Sequence, residues 1–212
     1  MAVPGPLIPA HGGYRKLRSF QCAQAVYDAT VTFCDRFIDR RSRTHDQMVQ
    51  AARSGVQNIA EGSVASATSK KAELKLTGVA RASLAELLLD SEGVLRQLGL
   101  RLWAKDSPEA LAVRGRYKSD RSDPSDKSDM SDKSDQSDRP RDPYGISAAS
   151  PEVAANTLIC LINQASFLLA RQMQSLERSF LKNGGFTERL YQARSEARRA
   201  PPPGPAGGPR GK

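Results

Sequence analysis

The chain has 212 residues, of which 39% are hydrophobic and 6% aromatic, and it carries 32 Lys and Arg against 23 Asp and Glu. Strand-type runs of β-branched and aromatic residues are missing, so the composition argues against a β fold and favours helices. The formal charge of +9 predicts attraction to polyanions such as RNA or DNA, although many basic proteins have no such partner.

The first two predicted helices are marked by apolar spacing and by capping residues. The first runs over about residues 20–39, with Ser19 as its N-cap. The second begins at a capping box formed by Thr44 and Gln47, and Gly62 is placed to end it as the C′ residue. Both segments repeat apolar or small residues every three or four positions, which predicts one buried face on each.

The third predicted helix is the longest, over about residues 70–98. Ser69 stands at its N-cap position and Gly99 at its stop. Leucines recur along one side of this segment, which predicts a buried stripe. Gly78 and Gly93 lie inside the pattern and each disfavours a helix by about 1 kcal/mol relative to Ala, which weakens the expectation of an unbroken helix.

The fourth predicted helix opens with Ser150 as N-cap and Pro151 at the first helical position. Two of its faces are largely apolar, which predicts broad burial, and it ends at Gly184. A short basic amphipathic segment, residues 187–199, predicts a final helix before a Pro/Gly-rich end.

These segments predict an all-α fold in which four helices pack as an antiparallel bundle, spanning residues 14–183. A low-complexity insert, residues 104–149, is expected to be disordered between the third and fourth helices, because the Ser-Asp-x repeat at residues 119–139 has almost no apolar surface to bury. Expansion of a short DNA repeat explains it; a cation-binding or phosphorylated spacer is the functional alternative. Residues 184–212 form a basic, Pro/Gly-rich tail, which is expected to be disordered after the short helix, from residue 200 onward.

Residues with catalytic or metal-binding potential are few. Cys22, Cys34 and Cys160 lie in apolar helical segments and predict buried free thiols. His11 lies in the N-terminal arm, and His45 is expected on the surface of the second helix. With no phosphate-binding glycine motif, we expect no enzyme activity, no cofactor and no metal. The N-terminus lacks a signal-peptide pattern and no apolar stretch approaches a membrane span, which predicts a cytoplasmic protein without membrane contact.

Positive charge is concentrated at positions that an antiparallel bundle would bring to its two ends. Such residues contact phosphates in a salt-sensitive, largely sequence-independent way. The basic residues of segment 15–18 are expected at the same end as the start of the third helix. The predicted nucleic-acid-binding residues are Arg36, Arg40, Arg41 and Arg43 at one end, and Lys70, Lys71 and Lys75 at the other.

The run QMVQAARSGVQNIAEGSVAS, residues 47–66, resembles the characteristic motif of the bacterial four-helix-bundle proteins known as 23S ribosomal RNA intervening-sequence proteins. That family includes the accessory variability determinants of diversity-generating retroelements. The match centres on Asn58, Glu61 and Gly62, and continues in residues 80–87, which contain Arg81. A third matching piece is the opening YRKLRSF. The C-terminal half resembles the subgroup that carries a four helix bundle suffix.

The resemblance implies an antiparallel bundle and, in the retroelement members, a pentameric ring that binds RNA, DNA and a reverse transcriptase. The Ser-Asp insert and the Pro-rich end depart from the family, which puts the partner in doubt. Asn58, Glu61 and Arg81 have two interpretations: a hydrogen-bond network that fixes helix packing, or direct nucleic-acid contacts.

The sequence therefore predicts a non-enzymatic, oligomeric nucleic-acid-binding protein. The alternative is a protein-interaction scaffold whose charge serves solubility only, and a vestigial element without a cellular role is a third possibility.

Overall fold

The computed structural model describes residues 13–119 and 142–199, and within these ranges the chain is all-helical, without a strand. A short 3-10 helix, Gly13–Lys16, precedes the first α-helix. The α-helices are α1 (Arg18–Phe37), α2 (Arg43–Ala65), α3 (Lys70–Gln97), α4 (Pro108–Ser119), α5 (Pro151–Asn183) and α6 (Phe186–Arg199).

Four helices surround the core. α1 packs against α2 and α5, and α3 packs against the same two helices, which closes a ring of contacts. The residues at three- and four-residue spacing point inward, and each fully buried large side chain contributes about 1.5–3 kcal/mol. The largest fully buried side chains include Phe33, Met48, Ile59, Leu84, Leu87, Leu158, Ile162 and Leu169.

The most extensive contact between two helices is that of α2 and α3, and two glycines allow their close approach. A Cβ atom on Gly55 would lie 2.9 Å from Leu84 Cδ2, and one on Gly62 would lie 3.3 Å from Leu76 Cβ. Gly62 is buried inside α2, which continues to Ala65. The prediction that Gly62 ends the helix is therefore wrong, because its lack of a side chain serves packing rather than a left-handed turn.

The starts of α1 and α2 also differ from the prediction. α1 begins at Arg18, so Ser19 lies in its first turn, where it is buried and donates a hydrogen bond to Gln172 instead of capping. The N-cap of α2 is Ser42, whose Oγ accepts the Thr44 N–H at 3.2 Å. The tight turn from residue 39 to 42 brings Ser42 into this position, which replaces the predicted capping box.

Other predicted helix ends are confirmed. Ser69 and Ser150 cap α3 and α5 by accepting backbone N–H groups of the first turns. Gly99 and Gly184 follow the two helices with φ angles of 64° and 63°, the left-handed region that glycine adopts without strain. α3 is unbroken despite its two internal glycines. α6 begins one residue before the predicted start and ends at the predicted residue.

The expectation of a disordered insert over residues 104–149 is wrong for both of its flanks. On the N-terminal side, α4 packs against α5. On the C-terminal side, Tyr144 and Ile146 are buried in the core, and the Arg36 guanidinium donates hydrogen bonds to the carbonyls of Ile146 and Ala149. The repeat beyond Ser119 and the chain after residue 199 lie outside the described residues, so the disorder predicted there stays a prediction.

One helical run in the described part of the chain, Pro151–Glu196, is long and apolar enough to cross a membrane by length and composition. In its most apolar window 56% of the residues are buried inside the protein, and a core helix of a soluble protein passes the same test. α5 contacts α1, α3 and α4, which explains why it is apolar on most sides. The prediction that no apolar stretch approaches a membrane span is therefore wrong for this segment.

Candidate nucleic-acid interface

Three sets of contacts bring the N-terminus of α1, the end of α2 and the start of α3 to the same end of the molecule. Ser19 donates a hydrogen bond to Gln172 of α5. Gly78 of α3 faces the same helix, and a Cβ atom added at Gly78 would lie 3.9 Å from Met173 Cε. Gly62 of α2 packs against Glu73 and Leu76, in the first two turns of α3. We call this the lysine end; its basic residues are Arg15, Lys16, Arg18, Lys70, Lys71, Lys75 and Arg171.

The lysines of this end differ in how far they are paired. Lys70 Nζ lies 2.9 Å from Glu73 Oε2, and the side chains of the two residues are 27% and 10% exposed. Lys71 and Lys75 are exposed, and no ion pair joins either to an acidic residue in the described part of the chain. They lie four residues apart, on one face of α3. Two unpaired ammonium groups are therefore presented together to solvent.

A groove at the same end adds two guanidinium groups. Arg18 of α1 and Arg171 of α5 line a cavity of about 290 Å³ between the two helices. The first turn of α1 carries no acidic residue, and Leu17, at its N-cap, provides no side-chain hydrogen bond. Positive charge therefore continues from α3 across the end of the molecule to α1 and α5.

The opposite end, which we call the arginine end, comprises residues 34–48 with the neighbouring turns of α3 and the loop before α5. Cys34 of α1 and Met48 of α2 meet there, with 4.0 Å between the two sulfur atoms. Four arginines and three aspartates alternate between residues 35 and 46. Charges of both signs at such short spacing largely cancel the field that a phosphate would experience.

Each predicted arginine has a defined place at this end. Arg36 holds the loop before α5 and stacks on Phe37, with 4.4 Å from its guanidinium carbon to the ring centre. Arg40 Nη2 lies 3.1 Å from Asp35 Oδ1. Arg41 and Arg43 are exposed. The sequence-based site thus separates into a mixed-charge arginine end and a more uniformly basic lysine end.

His45 is mostly buried, with 16% of its side chain exposed, so its predicted surface position is wrong. Its Nε2 lies 3.4 Å from Asp35 Oδ1 and its Nδ1 lies 3.6 Å from Asp46 Oδ1. Neither ring nitrogen makes a hydrogen bond within the described residues. Within that same part of the chain, no group of three or more His, Cys, Asp or Glu residues could hold a metal ion.

The residues that carry the family resemblance are not joined by the contacts of the described residues. Asn58 Nδ2 donates to the Ser54 carbonyl of its own helix at 2.8 Å. Glu61 and Arg81 are exposed. Asn58 therefore makes a hydrogen bond within α2, and none of the hydrogen bonds of the described residues joins it to Glu61 or Arg81.

The thiols follow the sequence expectation in part. Cys22 and Cys34 are fully buried, whereas Cys160 is half-buried. Burial raises the pKa of Cys34 to about 12, and the negative charges of Asp35 and Asp90 act in the same direction. Burial also raises the pKa of Cys160, while nearby Arg114 lowers it. Cys34 is therefore a neutral thiol at physiological pH.

No family model, curated protein or solved structure matches the chain. The resemblance to the 23S ribosomal RNA intervening-sequence proteins therefore stays a prediction that rests on the residues quoted above.

Proposed function

We propose that this chain is a non-enzymatic nucleic-acid-binding protein that contacts phosphates chiefly through the lysine end. The observation that carries the proposal is the pair of exposed, unpaired lysines on α3, Lys71 and Lys75, at the same end of the molecule as the arginine-lined groove of α1 and α5. Ammonium and guanidinium groups presented in this way attract the phosphate backbone whatever its base sequence. Lys70 contributes less, because Glu73 pairs with it.

The proposed framework is an antiparallel four-helix bundle of α1, α2, α3 and α5. Its support comes from contacts at the two ends: the start of α1 meets the far part of α5 through Ser19 and Gln172, and the end of α1 meets the start of α2 through Cys34 and Met48. Alternating helix directions place the start of α3 with the start of α1.

The arginine end has a smaller share in this proposal. Arg41 and Arg43 are exposed and available for phosphates, whereas Arg40 is partly neutralised by Asp35. Arg36 has a structural role in holding the loop before α5. A nucleic acid that reaches this end also meets three aspartates, which lowers the gain from each arginine.

A matched pair of double variants tests this assignment. Lys71→Ala with Lys75→Ala removes two positive charges from the lysine end, and Arg41→Ala with Arg43→Ala removes two exposed positive charges from the other end. Binding to a structured RNA and to duplex DNA is measured by fluorescence anisotropy at several salt concentrations. For duplex DNA, the lysine variant should reduce the slope of log K against log salt by about 2, since each lost phosphate contact removes about 0.9.

The arginine variant should change the slope by less than half of that amount. Equal slopes for the wild-type protein and the lysine variant would refute the assignment of the lysine end. A larger change in the arginine variant would move the site to the opposite end.

A second candidate function is that of a protein-interaction scaffold, alone or as a homo-oligomer. Large apolar side chains are exposed on two helices: Leu89 of α3 is 70% exposed, and Phe167 and Leu181 of α5 are 57% and 78% exposed. Light scattering of the purified chain gives its oligomeric state. A protein partner, such as the reverse transcriptase that the resemblance implies, would remain bound after nuclease treatment in the scaffold case. In both cases we place the protein in the cytoplasm, without a cofactor.

A further inference from the structure

A cavity of about 600 Å³ lies between α5, α4, the segment that joins α3 to α4, and one turn of α3. Its walls are largely apolar: Leu102, Trp103, Ile159 and Phe167 line it. Sites for small molecules in proteins have about this size and are concave and mostly apolar, with a few polar groups that orient the ligand. None of the residues assigned to nucleic-acid binding in the sequence lines the cavity.

Well-defined contacts hold the cavity wall in place without a ligand. Asn156 of α5 is buried; its Oδ1 accepts the Trp103 N–H at 2.8 Å and its Nδ2 donates to the Arg101 carbonyl at 2.8 Å. Arg101 also lies 2.7 Å from Glu109 of α4 and 3.6 Å from Glu152 of α5. The three segments around the cavity are thus tied together, and little ordering remains for a ligand to impose.

The polar groups of the cavity are mainly hydrogen-bond donors and positive charges. Arg114 and Lys105 contribute two positive charges, and Glu92 contributes one negative charge. Arg114 is fixed by hydrogen bonds to the carbonyls of Lys105 and Ala110. The indole Nε1 of Trp103 is buried and has no acceptor among the described residues.

We propose that this cavity binds a small aromatic monoanion, such as an aromatic carboxylate or sulfonate. The aromatic body would pack between Trp103 and Phe167, and the acidic group would accept hydrogen bonds from the Arg114 guanidinium. The net positive charge of the lining favours an anion over a neutral molecule. The cavity shares no lining residue with the groove of the lysine end, and Arg171 of that groove lies 5.9 Å from the Phe167 ring centre.

Two dyes test the proposal on the full chain. The first is 1-anilinonaphthalene-8-sulfonate, and the second is N-phenyl-1-naphthylamine, which has the same rings without the sulfonate. Trp103 is the single tryptophan of the chain, so quenching of its emission by energy transfer reports binding close to it. We expect one saturable site per chain and at least about tenfold tighter binding of the anionic dye at low salt.

Variants place the dye inside the cavity. Phe167→Ala and Arg114→Gln should each weaken binding of the anionic dye at least tenfold, and Ala104→Phe should weaken it by filling the cavity without removing the Arg114 contacts. The matched control is Leu181→Ala, which removes a more exposed apolar side chain of the same helix outside the cavity. Equal affinity for the two dyes, or binding that Phe167→Ala and Ala104→Phe leave unchanged, would overturn the proposal.

Protection of a thiol provides a second readout that does not depend on fluorescence. Cys160 borders the cavity and is half-buried, whereas the other two cysteines are fully buried. Iodoacetamide should therefore label Cys160 first in the folded protein, and the anionic dye should slow that labelling. Labelling at an unchanged rate in saturating dye would show that the dye binds elsewhere and would contradict the assignment.

Discussion

The contact between α2 and α3 leads to a quantitative prediction for Gly62→Ala. Alanine favours a helix over glycine by about 1 kcal/mol, so the substitution would stabilise an unobstructed site. At Gly62, however, the new methyl group would lie 3.3 Å from Leu76 Cβ and 3.4 Å from the Glu73 carbonyl oxygen. Both atoms belong to the rigid part of α3, so relief requires movement of the helix as a unit. Overpacking of this kind costs about 1–3 kcal/mol, which leaves a net destabilisation of about 1 kcal/mol.

The matched control is Gly93→Ala in α3. Its added Cβ would meet only the end of the flexible Arg96 side chain, at 3.9 Å, so the propensity gain should appear almost in full. Gly62→Ala should lower the Tm by about 2–4 °C, and Gly93→Ala should raise it by a similar amount. Thermal unfolding followed by circular dichroism measures both changes. Stabilisation by both substitutions would show that α2 and α3 are less closely packed than described.

Three further predictions concern groups outside this contact. Asn156→Ala should lower the free energy of unfolding by about 1 kcal/mol, measured in urea, because it leaves the partly buried Trp103 N–H and Arg101 carbonyl without their Asn156 partner. Arg36→Met should destabilise by about 1 kcal/mol while leaving the salt slope of nucleic-acid binding unchanged, which anisotropy measures. The pKa of Cys34 is raised from 9.0 to about 12, so its contribution to stability is complete below pH 9 and is lost as the pH rises toward 12. Unfolding in urea between pH 8 and pH 11 measures that loss, and Cys34→Ala should reduce it.

Much of the helical structure could be predicted from the sequence because local chemistry determines it. Ser69 and Ser150 are N-caps in the prediction and in the structure. Gly99 and Gly184 follow helices with positive φ angles, as the sequence predicts for glycines that end a helix. The errors arise where tertiary packing overrides a local signal. Gly62 is the residue type that commonly ends a helix, yet here it allows α3 to pack closely against α2. No local sequence pattern reveals that contact.

The flanks of the low-complexity insert show a similar limit. Tyr144 and Ile146 have no helical periodicity around them, so the sequence offers no sign that they fill the core. The Ile146 carbonyl accepts a hydrogen bond from Arg36, which lies 110 positions earlier in the chain. α4 was missed because its short segment has no pronounced apolar face. The predicted disordered insert is therefore too long, because its two flanks pack against the helices of the core.

The candidate site could be predicted as a set of basic residues but not as a ranking of the two ends. Charge alone treats Arg40 and Lys71 alike. The ion pair between Arg40 and Asp35, and the exposure of Lys71 without an acidic partner among the described residues, distinguish them. The cavity around Trp103 was not anticipated, because its lining comes from four separate segments.

The most direct test of the proposed function is the binding of the purified, nuclease-treated full chain to structured RNA and duplex DNA across a range of salt concentrations. We predict sub-micromolar affinity at low salt, and for duplex DNA a slope of log K against log salt of at least about 3 in magnitude, corresponding to the lysine-end contacts with phosphate. Absence of binding at low salt would contradict the nucleic-acid function and leave the interaction scaffold as the better account.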